Sequence, residues 1–327
     1  ASFLAVSFWH VLLSRYGFRA VTQPLLQALT VAALWRALRI DPRGQFLSRA
    51  TAWYLLAGIW CGLTAYTYLA ARAFPLPLAV GLVTFIVAER EEKHLRLAQI
   101  GVFVGAAALV LAPLGRYWIA HPGSFMTRAN QVAADTWNEA WRGLTACLGM
   151  FFVRGDPYIR FNLPGQPLFG PVVALLFLIG LGTAVALLVR SRSTTAQASR
   201  PPSQAAVAFL LALLPIMLLP SALATGEITP SNLRTVGLLP FLYVVPALGL
   251  WTLLRLVRSL AGLDGKWLGV LFLGASVAVV GLLGTRTARA YNTWSSSPAL
   301  YYAADGDLAD AARYLNGASL SSTTPYV

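Results

Sequence analysis

Eight long apolar stretches, with the tail of a ninth at the start, take up most of these 327 residues, and short arginine-bearing breaks separate them. They centre on Leu29, Leu63, Leu82, Val104, Leu178, Leu213, Val244 and Leu273. Each is about 15 to 22 residues long, close to what a helix needs to cross the hydrocarbon core of a bilayer. A surface helix of a soluble protein keeps a polar face, whereas these stretches are apolar all round. Lipid offers no water to backbone amides, so a chain that crosses it repeatedly does so as helices that satisfy their own hydrogen bonds. The expected fold is an all-α polytopic membrane protein. Composition agrees: 57% of residues are hydrophobic, 11% are charged, and the mean hydropathy is +0.64.

A formal charge of +13 would point to nucleic acid in a soluble domain. In a membrane protein, arginine sets topology and meets anionic lipid, so nucleic acid is not an expected partner. Of the 25 basic residues only Lys93 and Lys266 are lysines. GC-rich coding accounts for such a bias; bidentate grip on phosphate or carboxylate is the functional alternative. Thirteen basic residues fall in one set of loops: Arg36, Arg39, Arg43 and Arg49; Arg90, Lys93 and Arg96; Arg190, Arg192 and Arg200; Arg255, Arg258 and Lys266. The opposite short breaks hold four, Arg15, Arg19, Arg72 and Arg234. The positive-inside rule makes the first set cytoplasmic. The long loop 116–168 and the C-terminus then lie on the outer side of a cell membrane.

Spans are expected near residues 21–35, 52–68, 76–88, 97–114, 171–189, 205–223, 236–254 and 268–283. They make residues 1–286 a transmembrane bundle, and 287–327 the start of an exoplasmic soluble α/β domain. The segment 191–204, rich in Ser, Thr, Gln and Pro, reads as a flexible linker. Within the outer loop, Trp137, Trp141, Leu144, Leu148, Phe151 and Phe152 recur at helical spacing with Asp135, Glu139 and Arg142 between them. That is an amphipathic helix suited to the membrane interface, or to capping the bundle as a lid. Asp305 and Asp307 open a short tail helix stopped by Gly317, and residues 323–327 are strand-like. The opening apolar run, Ala1 to Leu13, is too short to span, so the sequence is expected to be part of a longer protein that continues upstream of Ala1. Cys61 falls in a span and Cys147 in a loop, which argues against a disulfide framework.

No Walker loop, GxSxG, HExxH or paired-cysteine metal motif is present, and His10, His94 and His121 are scattered. The informative residues are charges and tyrosines at the outer ends of the spans: Arg15, Arg19, Tyr66, Tyr68, Arg72, Arg154, Asp156, Arg160, Glu227 and Arg234. Each arginine taken singly reads as a snorkelling anchor. Arginines arriving at one face from four separate loops suggest a shared anionic ligand, such as a polyprenyl phosphate or phosphosugar. Tyr66 and Tyr68 are interface anchors or sugar-stacking platforms.

Several segments resemble polytopic glycosyltransferases of family 39 and their dolichyl-phosphate-mannose mannosyltransferase-like bacterial relatives. These are Ser7-Phe8-Trp9-His10 into Ser14-Arg15-Tyr16-Gly17-Phe18-Arg19-Ala20, Ala65-Tyr66-Thr67-Tyr68-Leu69-Ala70-Ala71-Arg72, and Met150-Phe151 through Val153-Arg154-Gly155-Asp156-Pro157 to Asn162-Leu163-Pro164-Gly165. Asn232-Leu233-Arg234 ahead of Pro240 and Ala311-Ala312-Arg313-Tyr314-Leu315 fit as well. The resemblance implies a GT-C type fold and transfer of a sugar from a polyprenyl-phosphate donor to a lipid or protein acceptor on the outer membrane face. It implies Arg15 at the rim of the active site and Arg234 at the donor phosphate. Asp156 matches a family loop residue that would serve as a base or acceptor-orienting group, or simply make an Asx-turn before Pro157. The family's catalytic Asp or Glu lies in the first outer loop, has no counterpart in this sequence, and is expected upstream of Ala1. A divalent metal is compatible with the class, though no residue pattern here demands one. The alternatives are a lipid-linked sugar flippase, which should carry charges near the bilayer midplane, and a polysaccharide polymerase or ligase.

Overall fold

The computed structural model describes residues 1–15, 17, 19–40, 45–89, 91–193, 201–262 and 264–318. Tyr16, Phe18, Arg43, Arg90, Arg200 and the strand-like segment 323–327 lie outside them. All regular structure among the described residues is helical. Helices α1 (Ser2–Ala5) and α2 (Phe8–Arg15) precede α3 (Thr22–Arg39), α4 (Arg49–Thr64), α5 (Pro75–Ala88) and α6 (Lys93–Ala120). Two helices follow in the long loop, α7 (Thr127–Val132) and α8 (Trp137–Gly149). Then come α9 (Pro171–Ser193), α10 (Pro201–Ala222), α11 (Leu239–Leu242), α12 (Val244–Leu260), α13 (Gly265–Ser295), α14 (Pro298–Ala303) and α15 (Gly306–Ala318).

Among the described residues, six segments are long and apolar enough to cross a bilayer: Leu69–Ala88, Lys93–Ala120, Pro171–Arg190, Pro201–Ala222, Val236–Leu260 and Lys266–Ser295. The chain is thus a multi-pass helical membrane protein. The sequence suggested eight spans, and the other two fall short for physical reasons. At 16 residues α4 is too short: it stops at Thr64 and extends only about 24 Å at 1.5 Å per residue. Along α3, Gln23, Gln27 and Thr30 are spaced at turns of the helix and buried, and Arg36 and Arg39 close it. Helix α4 packs against α3 and α6, and both α3 and α4 expose leucines, among them Leu25, Leu55 and Leu63, on their other sides.

Other boundaries also move. The opening run, expected as the tail of one helix, is two: Ala1 is exposed and caps the four-residue α1, and the chain breaks at Val6 before α2 begins at Phe8. Ser7 marks that break, its hydroxyl donating to Leu4 O (2.9 Å) and accepting the His10 N–H (3.3 Å). Helix α6 runs through Pro113 to Ala120, so the long loop begins at His121 rather than Arg116. The expected linker shrinks because 191–193 continue α9 and 201–204 begin α10, where proline is tolerated in the first turn. Cys147, expected in a loop, is buried in α8. Residue 286, taken as the end of the bundle, falls within the single helix α13. Gly317 does not stop α15, which reaches Ala318.

Small residues set the closest helix contacts, as packing rather than hydrophobic drive joins helices in lipid. Gly58 and Gly62, four apart on α4, let its backbone meet α6: a Cβ on Gly58 would strike the Phe103 carbonyl oxygen, and one on Gly62 would lie 2.8 Å from Val110 Cβ. Gly180 of α9 and Gly249 of α12 face each other's backbones in the same way, at Val245 and Leu176. At the opposite end of the bundle, Arg96 is only 5% exposed. Its guanidinium donates to the carbonyls of Ala37 (3.4 Å) and Ile40 (2.9 Å), satisfying the C-terminus of α3. One of the arginines counted toward topology is therefore a buried helix cap.

Candidate functional site

The site end of the bundle is built from two loops. Past α8 the chain doubles back on itself: Gly155 N–H donates to Gly165 O (3.1 Å), Gly165 N–H to Asp156 O (3.0 Å), and Leu168 N–H to Met150 O (3.0 Å). Gly165 takes φ +75°, a left-handed turn conformation that glycine adopts without cost. Asn162 secures the inside of the loop, its amide donating to the carbonyls of Asp156 (2.9 Å) and Gln166 (2.8 Å). The second loop, between α10 and the 3₁₀ turn Val236–Leu238, is held by side-chain hydroxyls. Ser221 Oγ accepts from Ser231 N–H at 2.9 Å, and Thr229 donates to Ala224 O at 3.0 Å.

Asp156 joins the two loops. Its Oδ1 accepts the Tyr158 N–H at 2.8 Å, closing an Asx-turn, and its Oδ2 accepts the Asn232 N–H at 2.7 Å. Asn232 returns the link by donating to Phe161 O at 3.0 Å. Burial pushes the Asp156 carboxyl up to about 6, against the pull of the two backbone N–H groups and of Arg234.

Between the loops lies a cavity of about 440 Å³, walled by Tyr68, Asp156, Tyr158, Phe161, Glu227 and Arg234, with Ile228 and Leu233. Arg234 is mostly buried, ion-paired with Glu227 and donating to Ile228 O at 2.8 Å. A guanidinium that pairs with a carboxylate at a cavity wall can exchange that partner for an incoming anion. The same residues are poorly arranged for a divalent cation, because Asp156 has both oxygens on N–H groups and Glu227 already faces Arg234. Among the described residues no group of three or more His, Cys, Asp or Glu comes together.

Of the residues singled out in the sequence, the fold gathers Tyr68, Asp156, Glu227 and Arg234 at this cavity. It directs the others elsewhere. Arg15 lies over the Tyr291 ring at 5.4 Å, and Arg19 is exposed at the turn before α3. Tyr66 donates to Val110 O (2.8 Å) on α6. Arg72 is set between the rings of Trp118 (4.9 Å) and Phe125 (4.4 Å) and donates to Phe125 O. Arg154 is exposed and packs beside Gly165. Arg160 pairs with Asp305 at 3.2 Å, tying the loop to the tail. The catalytic carboxylate expected upstream of Ala1 lies outside the described residues. Tyr158 and Phe161, which line the cavity, were not singled out; their position in a polar loop just after Asp156-Pro157 is the signal that marks them.

Comparison with protein-family models, with curated proteins and with solved structures gave no match.

Proposed function

We propose that this protein is a membrane glycosyltransferase that moves a sugar from a polyprenyl-phosphate donor to a lipid or protein acceptor, at the membrane face carrying the 150–169 loop. The reading is carried by one observation: Arg234 and Glu227 share a cavity of about 440 Å³ with Tyr68, Tyr158 and Phe161. Ligand pockets of roughly 300 to 1,000 Å³ hold small molecules of this class. Guanidinium binds phosphate oxygens bidentately, and aromatic rings present flat apolar faces to a sugar. In the reaction the bond between the anomeric carbon and the phosphate oxygen breaks, and its electron pair leaves on the phosphate. The acceptor oxygen bonds to the anomeric carbon while its proton passes to a carboxylate base. Arg234 holds the charge that develops on the leaving phosphate. Asp156 frames this cavity, each of its oxygens accepting one backbone N–H.

The test is transfer of radiolabelled sugar from polyprenyl-phosphate donors by membranes containing the full-length protein. Arg234→Ala should lower transfer by about 100-fold, the usual scale for losing one donor to a developing anion, and Arg234→Lys should recover part of it. Lys266→Ala, at the opposite end of the bundle, should leave it unchanged. No transfer from any donor, together with donor crossing the bilayer in reconstituted vesicles, would replace this reading with a flippase.

A further inference from the structure

We infer that a second cavity, adjoining the first through Glu227, is the acceptor site, and that it is built for a neutral, hydroxyl-rich headgroup carried on a membrane lipid. This rests on the transferase reading above. The cavity is about 320 Å³, walled by Glu139, Arg142 and Gly143 of α8 and by Thr225, Glu227 and Thr229 of the loop after α10. The seam between these elements is close because Gly143 has no side chain: a Cβ there would strike the Ala222 carbonyl.

The polar groups facing this space suit hydroxyls. Arg142 is exposed and makes no ion pair among the described residues. Glu139 spends Oε2 on the Asp135 N–H (3.0 Å), which leaves Oε1 as an acceptor. Thr229 turns its hydroxyl inward to Ala224 O (3.0 Å) and so closes the wall. With Glu227 paired to Arg234, the charged groups facing this cavity alone are one carboxylate, Glu139, and one guanidinium, Arg142. Such a balanced pair matches a neutral polyol, whose hydroxyls both donate to carboxylates and accept from arginine. Its depth fits a lipid-borne acceptor, since Trp137 (84% exposed) and Trp141 (57% exposed) stand on the outer flank of the same helix. Exposed tryptophans of this kind settle at headgroup level.

Glu227 gives the two cavities a common element. With the first cavity empty its carboxylate pairs with Arg234. When a donor phosphate takes Arg234, the Glu227 carboxylate loses that ion pair and gains capacity to accept a hydrogen bond from a hydroxyl in the second cavity. Donor binding then strengthens acceptor binding.

Thiol protection in phosphatidylcholine nanodiscs separates the possibilities, using the full-length protein with Ala146→Cys in the second cavity or Ile228→Cys in the first. The native Cys61 and Cys147 are buried and give little background. Citronellyl phosphate should protect Ile228→Cys, and octyl glucoside below its micellar concentration should protect Ala146→Cys. At about four times the dissociation constant, labelling should slow by about fivefold, because protection grows as one plus the ratio of ligand to that constant. Octyl sulfate should not protect Ala146→Cys, and Arg142→Ala should abolish protection by octyl glucoside. Citronellyl phosphate should deepen octyl glucoside protection, and Glu227→Gln should remove that gain. Protection of Ile228→Cys alone would overturn the acceptor site and spare the donor reading. Absence of protection at Ile228→Cys would overturn the donor reading itself. Equal protection of both positions by octyl glucoside would show one undivided cavity and overturn the assignment. No gain with citronellyl phosphate would overturn the role of Glu227.

Discussion

The Asp156 carboxylate accepts the Asn232 backbone N–H at 2.7 Å, joining two loops 76 residues apart in the chain. Because the same carboxylate also closes the Asx-turn at Tyr158, one side chain fixes both walls of the candidate donor cavity. Asp156→Asn keeps the acceptor for Tyr158 but sets an amide NH₂ against the Asn232 N–H. Two facing donors leave a buried polar group unpaired, at a cost of about 1 to 3 kcal/mol. Thermal unfolding in detergent should show that loss, and Asp156→Ala should lose at least as much.

Asp156 also predicts a pH dependence. Its folded value, about 6, lies above its ordinary 3.8. Between those values the folded state holds a proton that the unfolded state has released. The contribution of this group to stability is therefore full below about pH 4 and falls as pH rises toward 6. Comparing the pH profile of the melting temperature with that of Asp156→Asn isolates the effect, because the asparagine variant cannot titrate. A difference profile flat from pH 4 to 7 would remove the prediction.

Helix contact through glycine gives a third. Gly180→Ala and Gly249→Ala each put a methyl into the facing backbone of α12 or α9. Overpacking of this kind costs about 1 to 3 kcal/mol. Gly105→Ala on α6 meets nothing within 4 Å and serves as the matched control. Size-exclusion recovery after stepwise heating should rank the control well above the other two.

Arg96→Met tests the buried cap. The variant removes the donors to Ala37 O, Ile40 O and Gln99 Oε1 while roughly keeping side-chain volume. With those acceptors left in a poorly hydrated interior, it should lose about 3 kcal/mol. An exposed topology arginine would lose almost nothing. Hydrogen exchange at the C-terminal turn of α3 should accelerate in the variant and nowhere else to the same degree.

The sequence by itself determined the class of this protein and the position of its six long apolar segments, though not their ends. Unbroken apolar length is a local property, and lipid enforces it on each segment separately. The amphipathic helix in the long loop was legible from Trp137 to Leu148 for a similar reason: its aromatic spacing is read within a few turns, and the Thr136 hydroxyl caps it by accepting the Glu139 N–H at 3.2 Å. Phe151 and Phe152, expected on the same helix, lie past its end at Gly149. Which polar residues share a cavity was decided only by tertiary structure. Arg72 and Arg234 both stand at the ends of spans, yet one lies against the rings of Trp118 and Phe125 and the other pairs with Glu227 at a cavity. Arg96 and Arg255 both read as loop arginines in the sequence and both lie within helices, α6 and α12, yet of the two Arg96 reaches across to cap α3 while Arg255 is exposed. A charged side chain at a helix end can turn to lipid headgroups, to an aromatic face or to another loop. Its choice depends on groups brought near by chain closure over tens of residues, and local periodicity carries no record of that.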